Sequence, residues 1–484
     1  MTLPDSFTQY TRQLMGDALF GRLLDGLAEE PPVSIRTNPA KCRLKPAGGQ
    51  PVPWCGCGYW LPWRPAFTFD PLLHAGWYYV QESASMFLHR VISQYVTRPV
   101  RMLDLCAAPG GKSTCALGAL PEGSVLMCNE PEPRRAHILA ENIMKWGLPG
   151  VIVTNSLPRD YARSGLKFDV VLCDVPCSGE GMFRKDPASI GEWSAQNVER
   201  CAALQREIVA GAWQCLRPGG LLVYSTCTFN ARENEENVAW ICSELGAELL
   251  PADSDEAWGV GGSLSAALPG PVCRFIPGVS RSEGLFMAAM RKPADAGGTE
   301  PTTRRRQRKS RTPAAAPAQA AWLRRPADFD YFSGQDSIVA VPKSLTPLYD
   351  TAQDTLRVVH AGVTLGTLRG RDVVPHQSLA LSVELADDAF PRAELTHDDA
   401  ISYLRRLPVS LPEGTPRGFV LATCGGAALG FVKSLGARAN NLYPQEWRIR
   451  STHTPDGGLR PALFGSGWRP GNPQTTQEEQ TEQR

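Results

Sequence analysis

A chain of 484 residues is too long for one compact core and divides at ordinary domain sizes into about two to four domains, so a lone binding module is excluded. Lysine and arginine number 50 against 49 acidic residues, a net charge of +1, so a nucleic-acid surface would have to come from local charge arrangement. With 43% hydrophobic and 20% charged residues, and no apolar run near the roughly 18 to 20 residues of a spanning helix, the composition is that of a soluble globular protein outside the membrane. Met1 to Arg12 lacks a basic segment followed by an apolar stretch, so no secretory signal is expected, and the 14 cysteines read as reduced cytoplasmic thiols. The pair Cys55-Gly56-Cys57 has no second pair to complete a four-ligand zinc site; it reads as loop cysteines, and no metal is expected.

Residues 5 to 28 carry apolar positions at helical intervals (Leu14, Leu19, Leu23, Leu24, Leu27), followed by a turn-rich stretch from Pro31 to Pro65. This reads as a small N-terminal module over 1–97. From about Arg98 short apolar runs follow, Met102–Leu105, Val125–Cys128, Val151–Thr154, Val170–Cys173 and Leu221–Tyr224, separated by helix-like segments. The helical faces are Ala136, Leu139, Ile143, Trp146; then Cys201, Leu204, Ile208, Ala212, Cys215; then Val238, Ile241, Cys242, Leu245, each expected to face a core. The alternation predicts an α/β unit over 98–293, a parallel sheet covered by helices. A basic Ala/Pro-rich linker is expected over 294–327, with Arg304, Arg305, Arg306, Arg308, Lys309, Arg311, Arg324 and Arg325 and no acid between Pro301 and Arg325. Beyond it, 328–392 and 393–470 read as two small α+β domains, and 471–484 as a disordered tail.

Met102-Leu-Asp-Leu-Cys-Ala-Ala-Pro-Gly-Gly-Lys-Ser-Thr114 places a strand, a Pro-Gly-Gly turn and a helix start in succession, where backbone N–H groups can approach a ligand. A Walker loop fails because Cys106 stands where its first glycine belongs, and the Gly-x-Gly-x-x-Gly fingerprint is absent too. Glu130, at the end of the next strand, is placed to accept both ribose hydroxyls of an adenosine. A glycine turn with a strand-end acid and no pyrophosphate loop fits S-adenosylmethionine.

Asp174-Val-Pro-Cys-Ser-Gly-Glu-Gly181 and Ser225-Thr-Cys-Thr228 each follow a strand, so both loops are expected at the carboxyl edge of the sheet, with Cys177 and Cys227 facing one pocket beside Asp174. Carbon 5 of cytosine is too electron-poor to take a methyl group directly. A thiolate added at carbon 6 makes it nucleophilic, an acid such as Asp174 at N3 stabilises the ring charge, and a second cysteine assists release. Spacing alone leaves open which cysteine attacks. A regulatory disulfide lacks a Cys-x-x-Cys arrangement and leaves the glycine turn unexplained; an N-methyltransferase would want a Pro-Pro-Tyr-like end after Asp174.

The segments Cys106–Lys112, Asp174–Gly181 and Ser225–Thr228, in that order, resemble the RNA cytosine-5 methyltransferases of the Nol/Nop/Sun (RsmB/NOP) family. By full-length layout the chain is most similar to the RsmF group acting on 16S ribosomal RNA. Ser34–Pro39 and Gly76–Ser85 look like segments that precede that family's catalytic domain; Arg369–His376, Gly430–Lys433 and Asn441–Pro444 with Arg448 resemble its PUA-like RNA-binding end. The resemblance implies a Rossmann-like class I methyltransferase sheet between a small N-terminal α+β module and a C-terminal α+β, PUA-like region. It implies Cys227 as nucleophile, Cys177 as the aid to release, and a cofactor site of Cys106, Ala107, Ala108, Pro109, Gly110, Gly111, Lys112, Glu130 and Asp174. The family's acidic adenine contact falls near Leu157, so Asn155 is expected as its polar substitute. Trp77, Tyr78, Tyr79, Phe183, Arg184 and Lys185 are candidates for the rim that receives a base drawn from its stack; for the aromatics, core or domain-interface packing competes at least evenly, and for Arg184 and Lys185 the competing reading is a solvated loop. The expected partner is RNA, 16S ribosomal RNA or the small subunit, with no membrane or metal and a cytoplasmic monomer at work. A transfer RNA cytosine-5 methyltransferase and a non-catalytic assembly factor are the alternatives.

Overall fold

The computed structural model describes residues 2–266, 268–294, 314–334, 336–370, 372–436, 438–452 and 463–464. Six of the eight basic linker residues, Arg304 to Arg311, and the tail from residue 471 lie outside the described residues.

The five apolar runs become the parallel strands β1 (Arg101–Asp104), β2 (Val125–Asn129), β3 (Val151–Thr154), β4 (Phe168–Asp174) and β5 (Leu216–Thr226). They lie in the order β3-β2-β1-β4-β5, with Leu103 paired to Met127 on one side and Val171 on the other. Helices cover both faces, so consecutive residues such as Met102 and Leu103 are both buried and the strands lack polar alternation. Three more strands extend the β5 side: β6 (Glu248–Leu250), β7 (Cys273–Phe275) and β8 (Leu285–Arg291). β8 runs antiparallel to β5 and carries both β6 and β7. Strand order reverses between β1 and β4, which opens a crevice at the carboxyl ends there.

The helices are α1 (Gly111–Ala119), α2 (Pro133–Trp146), α3 (Pro158–Ser164), α4 (Ala195–Cys215) and α5 (Glu235–Leu245). Helix α2 shows why they start and stop where they do. Glu132 accepts the N–H groups of Arg134 and Arg135 at 3.0 and 2.7 Å, Pro133 occupies the first turn, and Gly147 ends the helix at φ 83°. Its expected stripe, Ala136, Leu139, Ile143 and Trp146, is buried. In α4 the stripe is interrupted. Ile208, Ala212 and Cys215 are buried, but Leu204 is 43% exposed, because at that level the helix faces the crevice rather than the sheet.

The N-terminal helix, Asp5–Ala28, breaks at Gly16 (φ 74°), and its inward stripe is Phe7, Met15, Phe20, Leu23 and Leu27; Leu24 points to solvent. Phe7 packs on Phe183 and Trp193 at ring distances of 5.2 and 5.6 Å, so this helix shares a core with the sheet's surroundings. A small sheet follows, with Val33–Thr37 between Gly58–Leu61 and Tyr78–Val80. Its Arg36 is fully buried and bonds Gln81 Oε1 at 2.7 Å, Thr114 Oγ1 at 2.6 Å and the Thr114 carbonyl at 3.1 Å, over the Trp146 ring. One guanidinium thereby joins the N-terminal module to the first turn of α1.

Downstream, Phe329–Ser333, Ser337–Pro342, Val363–Arg369 and Asp372–Pro375 form an antiparallel sheet; Arg392–Glu394, Gly418–Cys424, Ala427–Ser434 and Ala439–Asn441 form a mixed one, in which Arg392–Glu394 runs parallel to Gly418–Cys424. They share a core in which Leu379 and Leu385 meet Leu421 and Phe431. Expected as a unit of its own, the segment 328–392 also gives a strand away: β9 (Val358–Ala361) pairs antiparallel with β3, Val358 opposite Thr154 and Ala361 opposite Ile152. Within the expected linker, Arg324 and Arg325 are ion-paired to Asp387 and Glu384. Among the described residues no helix is long and apolar enough to cross a membrane.

The central sheet should therefore depend on residues far beyond the 98–293 unit. A chain ending at residue 356, which lacks β9 and bares the edge of β3, should lose more thermal stability than one ending at residue 389, which keeps it. Equal Tm values for the two truncations in scanning calorimetry would refute the role given to β9.

Candidate active site

The crevice has a volume of about 760 Å³ and is lined by Cys106, Ala108, Glu130, Arg135, Leu157, Asp174, Cys177, Met182, Leu204 and Cys227 among others. The turn after β1 builds its floor. Gly110 adopts φ 108°, closed to residues with a side chain at ordinary cost, and a Cβ there would stand 3.2 Å from Leu139. The Ala107 N–H bonds the Asn129 carbonyl at 2.8 Å, and Asn142 Nδ2 donates to the Pro109 carbonyl at 2.8 Å, so the turn is tied to β2 and α2. Of the expected cofactor loop, Cys106 and Ala108 line the crevice, while Ala107, Pro109, Gly110 and Gly111 shape it from behind. Lys112 turns toward β4, where its Nζ lies 3.0 Å from Asp174 Oδ2.

Glu130 sits almost fully buried at the end of β2. Its Oε1 accepts the Glu132 N–H at 3.0 Å and its Oε2 lies 3.5 Å from Arg135, which leaves lone pairs on both oxygens for hydroxyl donors. Asn155 is differently engaged. Its amide donates to the carbonyls of Glu130 and Pro131 at 2.8 and 2.9 Å, and Leu157, not Asn155, forms the wall at that level. Asp104, which the sequence reading passed over, is fully buried under the turn; Ser113 donates to its Oδ2 at 2.7 Å and its Oδ1 has no hydrogen-bond partner. Burial pushes its carboxyl up to about 7, against the Ser113 hydrogen bond.

At the other end, Cys177 Sγ and Cys227 Sγ lie 3.2 Å apart, with the Cys227 N–H 3.4 Å from Cys177 Sγ. Asp174 stands beside them, its Oδ1 accepting the Ser225 hydroxyl at 2.7 Å. The two cysteine loops are cross-clamped by buried carboxylates. Glu180, on the Cys177 loop, accepts the N–H groups of Phe229 and Asn230 on the Cys227 loop at 2.7 and 2.9 Å, and also Trp193 Nε1 at 2.9 Å. Glu233, beyond Cys227, accepts the Ser178 N–H at 3.0 Å and Gln205 Nε2 at 2.7 Å; Asn230 Nδ2 donates to both acids. Gly181 has no side chain because its N–H bonds the Cys227 carbonyl, and a Cβ would stand 2.9 Å from that oxygen. Glu233, Asn230 and Gln205 went unread in the sequence; a short Glu/Asn-rich run after the second cysteine motif was the available signal.

The pair is electrostatically unequal. The hydrogen bond between the two thiols holds the Cys227 thiol below its ordinary value and the Cys177 thiol well above it. Burial and Asp174 oppose ionisation of Cys227, and the Lys112 ammonium favours it. Lys112 itself is pulled down by burial and pushed up by Asp174, with the second winning.

The rim candidates divide. Tyr78 and Phe183 are buried in separate cores, with Tyr78 OH donating to Asp70 at 2.7 Å; Trp77 packs against the Tyr78 cluster and against the core of the last sheet. Tyr79 lies against Gly111 behind the turn. Arg184 is neither rim nor solvated loop: its side chain is 5% exposed, paired with Glu283 at 3.0 Å and bonded to the carbonyls of Gly26 and Ser282. Lys185 lies 3.8 Å from the same Glu283.

Residues 97–291 match the family described as 16S rRNA methyltransferase RsmB/F, residues 3–83 the N-terminal domain of 16S rRNA methyltransferase RsmF, and residues 390–449 the RsmF PUA domain. Ribosomal RNA small subunit methyltransferase F of Enterobacter sp. (strain 638) is 32% identical over 418 residues, spanning 82% of this chain and 83% of that one. The protein of the same name from Klebsiella pneumoniae (strain 342) is 30% identical, spanning 85% and 89%. The chain belongs to the RsmF group of the RsmB/F methyltransferase family. A methyltransferase homologue from Pyrococcus horikoshii (24% identity, TM-score 0.51, 60% of this chain and 95% of that one) shares the fold. So does NSun6 from Pyrococcus horikoshii, solved with SFG (21% identity, TM-score 0.50, 60% and 98%).

Two consequences can be measured. Glu180→Ala strands three buried donors and should cost roughly 3 kcal/mol or more in urea unfolding, whereas Glu180→Gln, which keeps an acceptor, should cost less; equal losses would refute the clamp. For Asp104, the folded chain holds a proton that the unfolded chain releases between about pH 4 and about pH 7, so its contribution to stability is lost as pH rises through that window. Asp104→Asn should gain on the wild type progressively from pH 4 to pH 7 in the absence of ligand. A difference flat with pH would refute the raised carboxyl.

Proposed function

We propose that this protein transfers a methyl group from S-adenosylmethionine to carbon 5 of a cytidine in 16S ribosomal RNA, through a covalent bond between Cys227 and carbon 6 of the base. The observation that carries this reading is the pair of thiols 3.2 Å apart at one end of a crevice whose other end holds Glu130. Membership in a family described as 16S rRNA methyltransferases supports the reaction class and the RNA, and a neighbour of the same fold solved with SFG, an S-adenosylmethionine analogue, supports the cofactor.

The residues present suit such a cofactor. Glu130 offers carboxylate lone pairs to a ribose diol, and the unpartnered Oδ1 of Asp104 lies beneath the turn that runs from Cys106 to Lys112. When bound, S-adenosylmethionine supplies the electrophilic methyl group. Asn155 keeps a supporting part in this scheme, fixing the end of β2 through its two carbonyl contacts.

The chain's own residues then divide the work. Cys227, the more acidic thiol, attacks carbon 6 and forms the C–S bond, and the electron pair moves into the ring. Lys112 and Asp174, 3.0 Å apart, supply a donor and an acceptor for N3 and the exocyclic amine as that charge develops. Once Cys227 is a neutral thioether, Cys177 no longer has a thiolate to donate to, and its proton can leave to solvent. Once carbon 5 carries the methyl group, Cys177 takes the proton from that carbon, the C–H electrons re-form the C5–C6 double bond as the C6–S electrons return to Cys227, and the methylated base is released. The PUA domain and N-terminal module grip RNA outside the crevice, and the work is done by a cytoplasmic monomer.

A test is denaturing electrophoresis of Cys177→Ala with small-subunit ribosomal RNA and S-adenosylmethionine. A covalent protein–RNA band should accumulate and vanish in the Cys177→Ala, Cys227→Ala double variant, while Cys227→Ala alone should lower methyl transfer at least about a thousandfold with RNA binding kept. Methylation surviving in Cys227→Ala would overturn the nucleophile, and methylation of transfer RNA in place of ribosomal RNA would overturn the substrate.

A further inference from the structure

Cys55 and Cys57 were set aside in sequence for want of further ligands, and the fold supplies them. The two thiols lie in the tight turn that ends in Gly58, both buried, with Sγ atoms 3.7 Å apart. A ring nitrogen of His89, from the helix Phe87–Tyr95, joins them, so that the three donor atoms all lie within 4.8 Å of one another. A third cysteine, Cys115 in α1, is fully buried beside this trio but outside it, with its Sγ 3.9 Å from the Met86 carbonyl. Three elements distant in sequence thus meet in one place.

We propose that Cys55, Cys57 and His89, with Cys115 turning in from the neighbouring helix as the fourth ligand, form a structural zinc site that fastens the N-terminal hairpin to the helix behind the cofactor turn. Two sulfurs bound to one tetrahedral zinc at about 2.3 Å each stand about 3.8 Å apart, so the observed separation needs no rearrangement. Thiolate and imidazole donors with no carboxylate among them favour zinc over magnesium or calcium. The charge balance suits the ion: three thiolates and a divalent cation leave one negative charge, and the buried Arg36 guanidinium, bonded to Thr114 next to Cys115, carries a positive charge beside it. A surface opening lined by Gly56, Cys57, Cys42 and His89 gives the ion a way in.

The full chain, purified reduced and then exposed to zinc and freed of excess metal, should hold about one zinc per chain by mass spectrometry. Cobalt put in its place should give the thiolate charge-transfer band and tetrahedral visible bands. Cys57→Ser and His89→Ala should each lower retained zinc at least about tenfold, with thermal unfolding shifted down, whereas Cys42→Ser and the Cys177→Ala, Cys227→Ala double variant should keep it. Absence of zinc from the wild type, or undiminished zinc in Cys57→Ser, would overturn the site. Should the ligand variants not fold, X-ray absorption of the zinc in the wild type decides: a shell of three sulfurs and one nitrogen supports the proposal, and a shell of nitrogen and oxygen alone overturns it.

Discussion

Two buried carboxylates facing in opposite directions hold this site together. Glu180 reaches from the loop after β4 to the backbone of the loop after β5, and Glu233 reaches back. Adjacent parallel strands bring their ends near each other but do not set the angle at which two irregular loops leave them. Burying an acid is costly unless donors replace its water, and here the donors are main-chain N–H groups of the opposite loop. Each acid is satisfied only when the other loop is in place, so the arrangement is settled as a unit. Asn230, which donates to both acids, links the two halves of the clamp. The thiol separation on which the proposed chemistry turns is downstream of this network.

The same economy recurs at the other end of the crevice. Arg36 satisfies carbonyl and hydroxyl groups in the first turn of α1 and stacks on Trp146, so the N-terminal module is not an appendage but a wall of the glycine turn. The Arg184–Glu283 pair does comparable work below the cysteines, tying the loop after β4 to the N-terminal helix through the Gly26 carbonyl. Buried ion pairs add little net stability, but breaking one partner leaves a stranded charge, which makes them effective at fixing a single docking geometry.

Much of this was legible in the residues. The five parallel strands announce themselves because a strand buried on both faces must be continuously apolar, and the glycine turn and both cysteine motifs follow directly from them. What escaped depends on partners far away in the chain. Leu204 fits a helical stripe, yet the helix at that point faces a crevice. Tyr78 and Phe183 have the composition of a rim and the burial of a core. Arg184 reads as solvated until Glu283 is brought beside it. Asn155 stands at the right strand end, but its amide is consumed by two carbonyls. Cys115 and His89 are isolated residues until the fold gathers them around Cys55 and Cys57. Periodicity reports which face is apolar, and is silent about what that face meets.

The last strand of the central sheet, β9, is encoded after everything else in it. A ribosome making this chain therefore releases β3 long before its neighbour exists, with the run Val151-Ile-Val-Thr154 as a bare edge. Such an edge invites pairing with another nascent chain. The protein has to remain incomplete, and guarded, through most of its own translation, and the order in which its segments emerge becomes a constraint on its sequence as real as any contact in the finished molecule.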